Sequence, residues 1–382
     1  MMEISLNMYH AVALGAVLFW IGGVITDKVS VLNRYCIPAP LVGGLLFSII
    51  NCILTVSGVA SITFDGTQQT VFQNLFFTTV GFTVSIPALL RGGKSVVLVL
   101  ILSIIMIPIQ NALGGGIMLA FNQDPLIGIG IGSTALIGGP ATAAAYGPEL
   151  VKAGAPAGAD VAALAAATFG LVSGSLMGGP VARSLIVKHN LHSTEGRLNE
   201  SGEAATEEET FTSASPRFVK GFMLLLAALG IGAQVSVWLT ELTTLTFPSY
   251  IGAMLTAVVI RNVMIAAKIE YPDQEIDTMG NMFLSIFLAL ALSSLKLWEL
   301  VDLALPMIIC LLLQCVVMVI FSYFVVFNVM GRDYEAAVMS AGFIGFAMGA
   351  TSNAMANMQV VTKKYGPAPV AYFAIPMVGG MF

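Results

Sequence analysis

Long apolar stretches alternate with short polar ones along almost the whole chain. A run of about eighteen apolar residues is long enough to cross a bilayer as a helix. Ten stretches read this way: 8–26, 37–57, 72–90, 95–121, 158–187, 218–242, 247–266, 279–297, 301–330 and 367–382. Two more, 126–150 and 335–361, are apolar enough to enter a membrane. Gly, Pro and neutral polar residues break them too often for simple spans. The second contains "GFAMGATSNAMANMQ", Gly345 to Gln359, with no charged residue. Irregular backbone survives at membrane depth only where protein or a wet cavity covers it. Both stretches therefore read as re-entrant hairpins, entering and leaving by one face.

The halves match at an offset of 209 residues. Gly43 meets Gly252, Leu46 meets Leu255, Asp124 meets Asp333, Thr142 meets Thr351 and Gly170 meets Gly379. Hairpin falls on hairpin, each with an Asp eighteen residues before a Thr. Five spans per copy is odd, so the second copy is inverted. The fold class expected is an all-α polytopic membrane protein of two inverted five-helix repeats, each with a re-entrant hairpin. The first repeat covers 1–187, a linker covers 188–217 and the second repeat covers 218–382. The same offset predicts a last span running past Phe382, so the sequence reads as truncated there. Paired broken segments in inverted repeats point to a secondary transporter with its site near the midplane.

Composition agrees with this class. Hydrophobic residues make up 57% and charged residues 10%, against about 25% charged in a soluble domain. The linker gathers Glu195, Glu200, Glu203, Glu207, Glu208 and Glu209 among Ser, Thr and Asn, and reads as solvated. Lys and Arg favour cytoplasmic loops. With the N-terminus outside, fourteen of the sixteen Lys and Arg fall inside, and only Lys152 and Lys296 outside. The expected location is the cell inner (plasma) membrane, with a cytoplasmic linker. "MMEISLNMYH" lacks a signal peptide's basic start and cleavage site, so the first helix stays. Cys36, Cys52, Cys310 and Cys315 lack metal spacing and read as buried thiols.

A broken helix frees N–H groups at one end, which suit a carboxylate, and C=O groups at the other. Carbonyl oxygens suit Na⁺. The first tip, "IGGPATAAAYGPE", and the second supply small residues that let backbone approach a ligand. Gly138, Gly139, Thr142, Thr351, Ser352 and Asn353 are the candidate substrate-binding residues. Asn111, Asn357 and Gln359 are candidate supporting or cation-binding residues. Gln110, Asn111 and Gln314 sit mid-span and read as interhelical bridges, or else Asn111 or a neighbouring carbonyl coordinates a cation.

Other chemistries fail on their motifs. "RGGKS", Arg91 to Ser95, lacks the first Gly of a phosphate-binding loop, since Ala88 stands there. No ATP-driven pump is indicated. His10, His189 and His192 are the only histidines and none lies in a hairpin. Metalloprotease, hydrolase-elbow and intramembrane-aspartate signatures are missing, which leaves an intramembrane enzyme as a weak alternative. No cofactor is implied, and no nucleic-acid partner.

The chain resembles the sodium/glutamate symporter family along its whole length. The likeness lies in "YCIPAPLVGGLL" (35–46), "MIPIQNALG" (106–114), "ATFGLVSGSLMGGPVAR" (167–183), "LSIFLALALSSLKLWEL" (284–300), "GATSNAMANMQ" (349–359) and "PMVGGMF" (376–382). The resemblance implies Na⁺-driven import of L-glutamate, ten spans with two re-entrant hairpins, a homodimer and elevator-type alternating access. The first hairpin departs from the family's Gly-Gly-His-Gly-Thr, reading Gly138-Gly139-Pro140-Ala141-Thr142. In the second, Thr351-Ser352-Asn353 stands for Thr-Pro-Thr. The alternative of Na⁺- or H⁺-coupled transport of another amino acid or organic acid anion stays open.

Overall fold

The computed structural model describes residues 2–30, 32, 37–87, 93–193, 215–243, 247–298 and 303–381. Cys36, the start of the basic turn at Arg91 and most of the acidic linker lie outside them. The helices are α1 (Met8–Lys28), α2 (Ala39–Val56), α3 (Thr67–Thr83), α4 (Gly93–Ala120), α5 (Pro125–Ile129), α6 (Gly139–Lys152) and α7 (Ala159–His189). There follow α8 (Ser215–Thr243), α9 (Ser249–Ala266), α10 (Asp273–Ser293), α11 (Ala304–Ile320), α12 (Phe327–Val329), α13 (Tyr334–Ala347), α14 (Thr351–Tyr365) and α15 (Pro369–Gly379). A π-helical stretch, Phe321–Val326, joins α11 to α12.

Eight helical runs among the described residues are long and apolar enough to cross a membrane: α1, α2, α4, α7, α8, α9, α10 and α11–α12. Trp20, Ile53, Leu242 and Leu305 are 62–80% exposed. Such side chains are a liability in water and at home in lipid. The chain is a polytopic membrane protein.

Three sequence expectations are corrected. The stretch 72–90 is not one span: α3 starts at Thr67 and stops at Thr83. Pro87 has no N–H to bond the Thr83 carbonyl and disfavours helix before it. Asn262 on α9 bridges the gap, donating to Val84 O at 3.0 Å and accepting from Ile86 N at 2.8 Å. The stretch 367–382 holds only the 11-residue α15. The fold is also not purely α. Strand β1 (Met2–Leu6) pairs in parallel with β2 (Ala60–Phe64), Met2 opposite Ala60. This places the start of α1 beside the end of α2.

Close helix crossings depend on glycine. Gly43 of α2 lies against the Leu18 carbonyl of α1, and Gly252 of α9 against the Gly232 carbonyl of α8. A Cβ at either would overlap backbone. The helices sort into two groups. The first is α1, α2, α3, α8, α9 and α10; the second is α4 to α7 with α11 to α15. The main helix contact between the groups is that of α10 with α6.

Candidate functional site

The candidate site grows from two broken helices. Asp124 Oδ1 accepts from Leu126 N and starts α5; Asp333 Oδ1 accepts from Ala336 N and starts α13, both at 2.8 Å. Aspartate is a favoured N-cap, and these two are the pair found at equal offset in the sequence. Each first arm ends abruptly. After α5 the chain runs through a π turn, Gly130–Thr134, with Gly132 outside helical geometry at ψ −125°. It resumes as α6 at Gly139. After α13 it passes Met348, Gly349 and Ala350, then resumes as α14. The arms fold back antiparallel. Gly130 lies against Leu150 in the first; Gly342 lies against Met358 and Gly345 against Ala354 in the second.

The tips meet. Gly139 has φ +68°, and a Cβ there would sit 2.8 Å from Gly349 O. Around this contact Thr134, Gly138, Ala141, Thr142, Ala350 and Thr351 are half-buried and Ser352 is exposed. They flank the meeting point of the tips, which is the candidate binding crevice. Pro140 sits in the first turn of α6, where its missing N–H costs nothing. Ala350, before α14, is extended at φ −159°, and no side chain caps that helix. Uncapped first-turn N–H groups are suited to a carboxylate.

Behind the crevice, polar side chains brace the tips. Asn353 is fully buried, and its Nδ2 donates to Leu171 O of α7 at 2.6 Å. Asn357 Nδ2 donates to Gly174 O at 2.9 Å and Ala341 O at 3.3 Å. Asn111 Oδ1 accepts from Ser133 N at 3.0 Å, satisfying an N–H freed by the π turn. Of the nine residues singled out from the sequence, Gly138, Gly139, Thr142, Thr351 and Ser352 lie at the crevice. Asn353, Asn357 and Asn111 lie behind it as braces. Gln359 is exposed on another face of α14. At 100° per residue, six positions carry it 240° round from Asn353.

The glycine stripe went unread, and the interhelical bridging expected of Gln110 and Gln314 is present. Gly170, Gly174 and Gly178, four residues apart, form a smooth stripe on α7. Gly170 lies against Met348 O, Gly174 against Met348 and Gly345 O, and Gly178 against the Asn357 amide. Their spacing is a small-xxx-small signal in the sequence. Gln110 Nε2 donates to Ala347 O at 3.1 Å, tying α4 to the end of α13. Gln314 Nε2 of α11 donates to Gln110 O at 2.8 Å. The Oε1 atoms of both glutamines are buried without a hydrogen-bond partner. An unsatisfied buried acceptor costs about 1–3 kcal/mol.

A separate groove of about 710 Å³ lies between the last turns of α7 and α14, and Arg183, Lys188 and Lys364 line it. No group of three or more His, Cys, Asp or Glu side chains among the described residues could hold a metal ion. The two tips, 134–142 and 346–353, carry hydroxyls, one amide and backbone N–H and C=O groups, with no ionisable side chain.

Comparison with known proteins places this arrangement. The family model described as sodium/glutamate symporter matches residues 4–367. A sodium/glutamate symporter of Haemophilus influenzae is 35% identical over 389 residues, covering 100% of this chain and 95% of the relative. Those of Escherichia coli and Shigella flexneri are each 36% identical over 367 residues, covering 95% of this chain and 90% of the relative. By this match and these identities, the chain belongs to the sodium/glutamate symporter family.

Proposed function

We propose that the protein imports L-glutamate with Na⁺ as coupling ion, by elevator-type alternating access. The observation that carries this reading is the meeting of two helix breaks, Gly139 against Gly349 O. The family's named activity supplies the substrate and the ion. The substrate's carboxylates would take the uncapped first-turn N–H groups of α14 and the hydroxyls of Thr142, Thr351 and Ser352. Gly138 and Gly139 let backbone come close. Asn353 and Asn357 hold α14 on α7. Na⁺ would take oxygen ligands behind the tips.

The inverted-repeat reading, 1–187 and 218–382 joined by a cytoplasmic linker, is supported by matching structural roles. Asp124 and Asp333 cap the hairpins. Gly43 and Gly252 make the second-span crossings. Leu46 and Leu255 both face outward, at 39% and 41% exposure. The group α1–α3 with α8–α10 takes three spans from each repeat. The other group takes one hairpin and two spans from each. In the elevator the first group is fixed and pairs with a second copy, while the other carries the crevice across. The hairpins are re-entrant, and the N-terminus lies outside. Pro140–Ala141 beside the crevice favours one variant reading, a related amino or organic acid anion.

Uptake by the purified chain in liposomes tests the proposal. Glutamate should accumulate with an inward Na⁺ gradient and resist a protonophore. Uptake that ignores Na⁺ and collapses with the protonophore rejects Na⁺ coupling. Preference for another acid, in a panel, moves the substrate assignment to the variant reading.

A further inference from the structure

We propose that Gln110 Oε1 and Gln314 Oε1 are ligands of the coupling cation, a Na⁺ ion held by neutral oxygens where α4 and α11 cross behind the hairpin tips. This rests on the Na⁺-coupled reading above and adds to it the residues that hold the ion.

The amide orientations follow from the acceptors. Ala347 O and Gln110 O are carbonyls and only accept, so each glutamine must present Nε2 to them. Each Oε1 is thereby turned away from its carbonyl partner. Both side chains are 0% exposed, and neither oxygen has a hydrogen-bond partner. One hydrogen bond, Gln314 Nε2 to Gln110 O, joins the two residues. Two orphaned acceptors on adjacent helices match the needs of a small hard cation, which takes oxygen ligands. The absence of charge in the donor set suits a monovalent ion at membrane depth better than a divalent one.

The position also accounts for coupling. Gln110 holds the carbonyl of Ala347, the last residue before the second tip. Its neighbour Asn111 holds Ser133 N at the break of the first hairpin. A Cβ on Gly132 would sit 2.9 Å from Asn111 Oδ1 and 3.0 Å from Gln110 O. An ion on Gln110 Oε1 fixes a side chain that touches one hairpin directly and backs the other. Cation and substrate would then each raise the other's affinity, as linkage requires. If the glutamines merely bridge helices through Nε2, replacing them lowers stability and leaves the cation requirement alone.

The test is glutamate binding to the purified full chain as a function of Na⁺ concentration, for wild type, Gln110→Leu, Gln314→Leu, Gln110→Glu and Gln314→Glu. In the Leu variants, half-saturating Na⁺ should rise about tenfold or more, while glutamate affinity at saturating Na⁺ stays near wild type. The Glu variants keep an oxygen for the ion but lose the Nε2–H donor, so they should retain more of the Na⁺ dependence than the Leu variants at some cost in stability. Without glutamate, Na⁺ should raise the thermal midpoint of wild type and not of the Leu variants. Folded Leu variants with wild-type Na⁺ dependence overturn the proposal. If the Leu variants do not fold, Gln110→Asn and Gln314→Asn, which withdraw the oxygen by one methylene, are read by the same criteria. A wild-type protein that binds and transports glutamate without Na⁺ refutes the functional reading itself, before any variant is compared.

Discussion

Gly139 takes φ +68° and lies against Gly349 O, so two independent constraints require glycine there. An alanine would add the strain of positive φ, of order 1 kcal/mol, and push its Cβ into the opposite tip. Gly139→Ala should leave most of the protein folded and weaken glutamate affinity about tenfold, measured by binding to detergent-purified protein. Asn353 behaves differently. Its amide is buried on Leu171 O, and only a 3.5 Å contact from Ser352 Oγ reaches its oxygen. Asn353→Ala should lower the thermal midpoint by about 1–2 °C, from about 1 kcal/mol of lost hydrogen bonding. Its effect on affinity should be smaller than that of Gly139→Ala. An unchanged midpoint with strongly weakened binding would put Asn353 against the substrate instead. Polarity at membrane depth marked Asn353 in the sequence, but burial separates brace from contact. Asn353 and Ser352 are sequence neighbours, yet one is buried and the other exposed.

At the scale of elements, α14 rides on α7 through a repeating contact. Asn353 and Asn357, one turn apart, donate to Leu171 O and Gly174 O. The glycine stripe below them brings the backbones close. Gly178 carries this furthest, since a Cβ there would overlap the Asn357 amide. Gly178→Ala should destabilise by about 1–3 kcal/mol through overpacking. Asn357→Ala removes the obstructing amide as well as its hydrogen bonds. The double variant should therefore be clearly more stable than the sum of the single effects, with a coupling of about 1 kcal/mol. Thermal unfolding of the four proteins reads this directly, and additive losses would contradict the contact. The helices themselves were legible from hydropathy, and the broken stretches read over 126–150 and 335–361 coincide with pairs of short helices over 125–152 and 334–365. The break in α3 was not, because the apolar run continues across Val84 and Asn262 stitches it from 178 residues away.

For the whole molecule, the division into two helix groups makes relative motion the central question. Tyr146 of α6 rests on Tyr250 of α9, ring centroids 5.7 Å apart. Val151 of the second group and Ser294, just past α10, line one cavity of about 210 Å³. In a cysteine-free background, Val151→Cys and Ser294→Cys joined by a short bis-thiol reagent should stop uptake and spare glutamate binding. Reversing the crosslink should restore uptake. Wild-type uptake by crosslinked protein would exclude a sliding movement of α6 past α10.

Sequence alone determined that this is a membrane protein of many spans, where its two broken segments lie and that an aspartate recurs before each. Those properties are local: a bilayer demands about twenty apolar residues per helix, and a cap acts on the next turn. Tertiary structure decided that Asn353 is buried against α7 while Ser352 is exposed, that Gln359 faces away, and that β1 pairs with β2. It also decided that three helices of each half group together. The physical reason is that a buried polar group is defined by its partner. The partners of Asn353, Gln314 and Gln110 lie 182, 204 and 237 residues away along the chain.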